Sequence, residues 1–195
     1  LEVSRRISTI LDPDALLEAI LDSAIQLTGA SRALLLSHTG EKWRVLLGRG
    51  SGHASLDPET SRVSETLARR CLDEDRAIPY DNLTTRAEFQ DVRSIRALSL
   101  YAAVCVPLRE RGEIKGVLYL DSSRPGLRTS TRELPLLEAF AAQATVSLGN
   151  AGLLKRSEET RILLERENRG LRREARSASG FGEILGRSPS MQEVF

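Results

Sequence analysis

The chain carries two imidazoles and two thiols, His38, His53, Cys71 and Cys105, and their placement bounds the chemistry available to it. General-base catalysis asks for a histidine beside a nucleophile, yet the G-x-S-x-G elbow that presents a reactive serine is absent. His38 ends a run with strand character and His53 lies in a glycine-rich stretch, both ordinary places for a surface or structural imidazole. Cys71 and Cys105 stand far apart in apolar contexts, which predicts reduced thiols in a cytoplasmic protein rather than a disulfide. With no CxxC and no histidine pair at helical spacing, a zinc site is not expected. No G-x-x-x-x-G-K-[ST] occurs, so nothing here cradles ATP phosphates. The expectation is a chain that is not an enzyme and binds no metal.

Charge and composition narrow the partners. Lys and Arg number 28 against 27 Asp and Glu, a net charge of +1, so there is no general basic field for nucleic acid. Lysine occurs only at positions 42, 115 and 155; the abundant arginines suit bidentate anion contacts, although a composition bias explains them as well. At 41% hydrophobic and 28% charged residues the profile is that of a soluble globular protein. No run approaches the ~18 apolar residues of a membrane span, so no membrane partner is expected. The first residues, Leu1 to Arg6, lack both a signal-peptide pattern and an initiating Met, which predicts a piece of a longer protein.

The periodicity supplies the elements. Leu16, Leu17, Ile20, Leu21, Ala24 and Leu27 form a helical stripe from Asp12, a cap, past Pro13, to the stop at Gly29, with a shorter helix ahead of it in Leu1 to Leu11. Ala33 to Leu36 and Trp43 to Leu47 read as a hairpin, and Gly48 to Gly52 as a loop. A helix over Ser61 to Leu72 places Cys71 inward; a short strand covers Ala77 to Tyr80; a polar stretch runs from Asp81 to Arg96. Ala102 to Leu108 and Ile114 to Asp121 form a second hairpin across Glu110-Arg111-Gly112-Glu113. Strands adjacent in sequence can pair antiparallel while the end helices cover one face, which is an α+β sandwich.

A long helix follows from the Ser130/Glu133 capping box toward Arg176. Leu154, Ser157, Arg161, Leu164, Asn168, Leu171, Ala175 and Ala178 recur in steps of three and four, a heptad seam. Asn168 falls at an a position, which favours parallel pairing of two chains, and Glu167 and Arg172 would attract across the interface. Arg161 and Ser157 are poor core residues, so the coiled coil is partial. The expected partner is a second copy, through Leu154, Leu164, Asn168 and Leu171. Interleaved glutamates make the stretch from Lys155 to Arg176 a solvated surface rather than a DNA-binding stripe.

Several segments together resemble a known family. Ser61 to Leu67, Ala77-Ile78-Pro79-Tyr80-Asp81-Asn82, Ser94 to Leu98, Ala103-Val104-Cys105-Val106-Pro107-Leu108, Gly116-Val117-Leu118-Tyr119-Leu120-Asp121 and Leu137 to Ala144 are similar to the helices and strands of a GAF domain. The tail, Phe181-Gly182-Glu183-Ile184-Leu185-Gly186-Arg187-Ser188-Pro189-Ser190-Met191-Gln192-Glu193-Val194-Phe195, resembles the opening of the AAA+ domain of sigma-54-dependent transcription activators. The resemblance implies a GAF domain over 1–154, a helical signalling stalk and linker over 155–180, and a truncated AAA+ domain from 181 to 195. It implies an antiparallel sheet covered by helices, sensing that controls an ATPase acting on sigma-54 RNA polymerase, and DNA binding outside this chain. The early Ser4-Arg5-Arg6-Ile7-Ser8 is also similar to GAF domains that follow a forkhead-associated domain.

The resemblance places a pocket between the sheet and the Asp81-to-Leu100 segment. That segment offers Tyr80, Asn82, Phe89, Arg93 and Ser94, with Cys105, Val106 and Tyr119 expected on the sheet floor. The Asn-Lys and Asp-Glu parts of the family's cyclic-nucleotide signature are missing, and Cys105 is not followed by the histidine of a bilin site. Asp81, Asp91, Arg93, Cys105 and Asp121 include the residue types of a non-haem iron site found in some activators, but not its spacing. Arg86, Arg93 and Arg96 would suit an anion. Two readings stay open: a sensor of an unnamed small molecule with no evident cofactor, and a ligand-free dimerisation module whose pocket is filled by Phe89.

Overall fold

The computed structural model describes residues 12–40 and 42–178. The helix expected before Leu11 and the AAA+-like segment of 181–195 lie outside the described residues. The chain divides into two compact units, Leu1–Ala151 and Gly152–Phe195.

The first unit is built on a six-stranded sheet of order β3-β2-β1-β6-β5-β4, antiparallel at every pairing. Its elements are α1 (Pro13–Thr28), β1 (Arg32–Thr39), β2 (Lys42–Gly50), β3 (Ala54–Leu56), α2 (Glu65–Asp73), β4 (Ile78–Tyr80), a single 3-10 turn (Ala87–Phe89), α3 (Arg93–Ala97), β5 (Ala102–Glu110), β6 (Glu113–Ser122) and the start of α4 (Glu133–Ala178). This is the expected α+β, GAF-like sheet with helices and a long C-terminal helix.

Local chemistry sets the boundaries. Asp12 caps α1 by accepting from the Asp14 amide at 3.1 Å, and Gly29 ends it in the left-handed region at φ 75°. Ser130 and Glu133 form the capping box ahead of α4: the Ser130 amide donates to Glu133 Oε2 at 3.1 Å and the Ser130 hydroxyl to the same oxygen. Arg111 and Gly112 turn the β5–β6 hairpin with φ of 52° and 85°, both positive, as a two-residue turn between twisted strands requires. Gly116 sits where a Cβ would lie 1.9 Å from the Leu36 carbonyl oxygen, so only glycine lets β6 approach β1 there.

One expectation is corrected. Gly48 to Gly50 are not loop but the end of β2, paired with both β1 and β3. A Cβ on Gly48 would meet Leu56 at 3.1 Å, so the small residues admit the edge strand β3, which the sequence reading lacked. Arg49 is fixed from the other side: its guanidinium bonds both carboxylate oxygens of Asp22 on α1, at 3.0 and 2.9 Å.

Alternation along the strands makes two cores. On one face Ala33, Leu35, Val104, Val106, Leu108, Leu118 and Leu120 pack against Leu17, Ile20, Leu21 and Ala24 of α1 and Leu137, Ala141 and Ala144 of α4. Main-chain carbonyls hold α1 at both ends: the Ser147 hydroxyl of α4 donates to the Pro13 carbonyl at 3.2 Å, and the Arg128 amide, in the segment ahead of α4, to that of Thr28 at 2.8 Å. On the other face Leu34, Leu36, Ala103, Cys105, Val117 and Tyr119 pack beneath α2, β4, the 3-10 turn and α3. Each fully buried leucine contributes about 1.5–3 kcal/mol through lost apolar surface.

The second unit consists, in its described part, of α4 from Gly152 onward. Its exposed side chains include Ile162, Leu163, Leu164 and Leu171, between charged neighbours paired along the helix, as Arg161 is with Glu158 and Glu165. Leu154 belongs to the same helix, and Asn168 is exposed. No described helix is long and apolar enough to cross a membrane.

Candidate functional site

The sheet face under α2 and the 81–100 segment carries most of the residues expected to form a pocket; Tyr80, Phe89, Cys105 and Tyr119 pack there into one buried cluster, and Phe89 also lines a groove of about 440 Å³ with Arg69, Arg70 and Asp73. Tyr80 is buried and donates its hydroxyl to the Leu67 carbonyl at 3.2 Å. Phe89, 3% exposed, meets the Tyr80 ring edge-on at 5.7 Å between centroids, with the Arg70 and Arg86 guanidinium groups each 5.9 Å from its own centroid. Tyr119 fills the floor and accepts from the Ser64 amide at 3.5 Å, while Ser64 and Ser94 join hydroxyls at 2.9 Å and tie α2 to α3. Cys105 is fully buried beside them. The long polar segment is therefore a packed cover whose apolar residues, Leu83, Phe89, Ile95 and Leu100, enter the core.

Val106 is a correction. It follows Cys105 in β5, so its side chain leaves from the opposite side of the sheet and packs toward α1 and α4. Asn82 is exposed in a left-handed conformation at φ 52°, and its side-chain oxygen accepts from the Tyr101 hydroxyl. Of the three arginines expected to face an anion, Arg86 pairs with Glu88 at 3.4 Å, Arg96 is exposed, and Arg93 lines an opening.

The openings lie at the flanks. One groove, about 840 Å³, runs between Arg62, Val63 and Thr66 on one wall and Val92, Arg93, Ser94 and Leu98 on the other. A larger groove, about 1010 Å³, is floored by Leu36, Trp43 and Val45 and walled by the segment from Asp57 to Glu65. The two share Arg62, Val63 and Glu65. Trp43 opposes His38 across the β1–β2 pair with ring centroids 4.6 Å apart, and the buried Trp43 Nε1 and His38 Nε2 have no hydrogen-bond partner. Neither Trp43 nor the Asp57-to-Glu65 wall stood out in the sequence; the signal was the register that brings His38 opposite Trp43, which a one-residue slip would destroy.

Burial pushes the Cys71 thiol up to about 12 and raises the Cys105 thiol and the Tyr119 phenol well above their ordinary values. Among the described residues no three His, Cys, Asp or Glu side chains are grouped to hold a metal ion. Two structural ion pairs lie away from the grooves. Arg32 binds Asp121 through both carboxylate oxygens at 2.7 Å. Asp22 holds Arg49 and, at 2.7 Å, Nδ1 of His53; burial raises its carboxyl, but these bonds outweigh burial and leave it below the ordinary value.

Known proteins match this architecture. The profile of the GAF domain family matches residues 12–148. Histidine protein kinase 1 of Candida albicans is 25% identical over 170 residues, covering 82% of this chain; the chain spans only 7% of that protein's length. The photosensory core module of a Stigmatella aurantiaca phytochrome superposes with a TM-score of 0.61 at 12% identity, covering 76% of this chain and 35% of that one. The GAF domain of an Acinetobacter phosphoenolpyruvate-protein phosphotransferase gives 0.59 at 13% identity, covering 78% and 91%. At these identities the two solved structures share the fold alone. With a family match over most of its length and the sheet, helices and flanking grooves in place, the chain belongs to the GAF domain family.

Proposed function

We propose that the chain is the sensory module of a cytoplasmic, homodimeric sigma-54-dependent transcription activator, taking up a small molecule in the groove over Trp43 and controlling the AAA+ ATPase that follows. The observation that carries the sensing role is the groove itself: a cleft of about 1010 Å³ floored by Leu36, Trp43 and Val45, in a GAF domain. The activator context rests on the sequence of Phe181 to Met191, with its likeness to the start of that AAA+ domain. RNA polymerase and DNA would be contacted by parts of the intact protein beyond this chain. The module does no catalysis in this reading, because both thiols are held protonated and neither histidine faces a nucleophile. The second reading, a ligand-free dimerisation module, is favoured by the packing of Phe89, Tyr80 and Tyr119, which leaves the centre of the face closed.

Trp43 is the only tryptophan, so its emission reports the groove directly. Titration with fractions of a bacterial metabolite extract is expected to give a saturable change in that emission, abolished by Val45→Glu. If no fraction changes it and native mass spectrometry of protein from its own host finds no bound molecule, the sensing role is lost and the dimerisation reading stands.

A further inference from the structure

The groove over Trp43 has an apolar floor and a charged rim. Leu36 is buried and Trp43 and Val45 are half-buried, while Arg44, Glu59, Arg62 and Glu65 line the opening and are exposed. One wall is set before any ligand arrives. The Asp57 carboxylate accepts from the Glu59 amide at 3.0 Å and from the Thr60 hydroxyl at 3.2 Å. The Asp57 carbonyl accepts from the Ser61 amide at 3.0 Å and from the Ser61 hydroxyl at 2.7 Å. Asp57 is thereby occupied by its own turn. The four rim charges are not: among the described residues none of Arg44, Glu59, Arg62 and Glu65 has a side chain in an ion pair or a hydrogen bond. Arg70, farther along α2, is by contrast held by Glu74 at 3.1 Å and by Glu88 at 3.3 Å.

We infer that the groove takes a zwitterion with an apolar body: a free ammonium, a free carboxylate and a hydrophobic side chain, as in an apolar amino acid or a short peptide of such residues. The inference rests on the sensing role proposed for this groove and names the chemistry of its ligand. Arg44 and Arg62 receive the carboxylate, for which a guanidinium has paired donors of matching geometry. Glu59 and Glu65 receive the ammonium. The side chain lies on Leu36, Trp43 and Val45 and takes their apolar surface out of water.

Charge balance selects this class over others. A neutral apolar molecule would take water from the rim charges and give them no partner in return. A simple anion would satisfy Arg44 and Arg62 beside two carboxylates that repel it, and a simple cation would meet the reverse. A molecule that carries both signs completes both kinds of rim charge at once. Size leaves two sources for that chemistry. The groove, about 1010 Å³, is larger than one amino acid needs, and a peptide with free termini fills more of it. Either source places an ammonium and a carboxylate at the ends of a short apolar body.

Calorimetry and Trp43 emission of the full chain test the class, with L-leucine, L-phenylalanine and leucyl-leucine as probes. Saturable binding is expected. The amide of the tightest probe, which lacks the carboxylate, and its N-acetyl form, which lacks the ammonium, are each expected to bind at least about tenfold more weakly. Arg44→Gln with Arg62→Gln is expected to bring the free probe down to the level of its amide, and Glu59→Gln with Glu65→Gln down to that of its N-acetyl form. All four positions are exposed, so the melting curve should stay in place. Tighter binding of a free amino acid than of leucyl-leucine assigns the first source and the reverse assigns the second, and both uphold the class. Equal binding of the probe, its amide and its N-acetyl form overturns the inference. Silence of every probe at millimolar concentration, while a metabolite fraction changes the Trp43 emission, overturns it too and leaves the sensing role standing. If probes and fractions are all silent, the sensing role falls and the inference falls with it.

Discussion

Replacing Phe89 by alanine separates a plug from a pocket wall. The ring is 3% exposed and sits among Leu67, Tyr80 and Ile95 in the second core. Phe-to-Ala changes in such cores cost about 3–5 kcal/mol through lost transfer energy and the cavity left behind. The edge-on Tyr80 ring, 5.7 Å away, adds a directional contact of about 0.5–1.5 kcal/mol, part of which that range already holds. The two guanidinium groups 5.9 Å from the ring add about 0.5 kcal/mol each at this exposure. The expected loss is therefore in the upper half, about 4–5 kcal/mol. For a domain of this size that lowers the melting temperature by roughly 8–20 °C. Urea unfolding followed by Trp43 emission reports the sheet unit without the background of the long helix. A loss below about 1.5 kcal/mol with an unchanged urea slope would refute the plug and return Phe89 to a pocket wall.

Three other outcomes follow from the same geometry. Asp22→Asn leaves the largely buried Arg49 with only the half-exposed Glu18 carboxylate, at 3.3 Å, and is expected to cost about 2–3 kcal/mol at pH 7, less than breaking a fully buried pair. Since the folded Asp22 carboxyl titrates below its unfolded value, the wild type keeps this stabilisation above about pH 4 and loses it as pH falls further; denaturation from pH 6 to pH 2.5 should show a steeper loss for wild type than for the variant. Gly116→Ala places a methyl 1.9 Å from the Leu36 carbonyl and should cost more than about 3 kcal/mol or abolish soluble expression, whereas Gly152→Ala, with open space around it, should be tolerated. Iodoacetamide at pH 8 should leave Cys71 and Cys105 unmodified in the native protein and alkylate both in urea, and rapid labelling of either would contradict their burial.

Local signals were legible in the sequence and long-range ones were not. Asp12, Pro13 and Gly29 bounded α1, the Ser130/Glu133 box marked the approach to α4, and Arg111-Gly112 made the β5–β6 hairpin, because each acts on backbone within a few residues of itself. Gly48-Arg49-Gly50 misled for the opposite reason: as a tripeptide it is flexible, and it becomes strand only because Leu56 and Asp22, distant in sequence, occupy its two sides. At the candidate site, Tyr80, Phe89, Cys105 and Tyr119 lie on one face of the sheet. Val106 was misplaced by one residue of alternation. The grooves were missed because their floor depends on the β1–β2 register, whose shift between Leu35 and Leu36 no local pattern announces.

The two hydrogen bonds that brace α1 give the unit a mechanical property. One holds the carbonyl of the first residue of the helix to Ser147, the other the carbonyl of its last residue to Arg128. Like diagonal struts at the two ends of a beam, they resist opposite displacements: sliding α1 along its axis in either direction stretches one or the other. Rotation of α1 about its axis is opposed by Arg49, which grips Asp22 midway between them. Small shear between packed helices is a common way for a domain to change state. In this unit α1 is held at its start to α4, about four turns along that helix at Ser147, and at its end to the segment that leads into α4, so a push on α1 is passed to α4 and to its approach together.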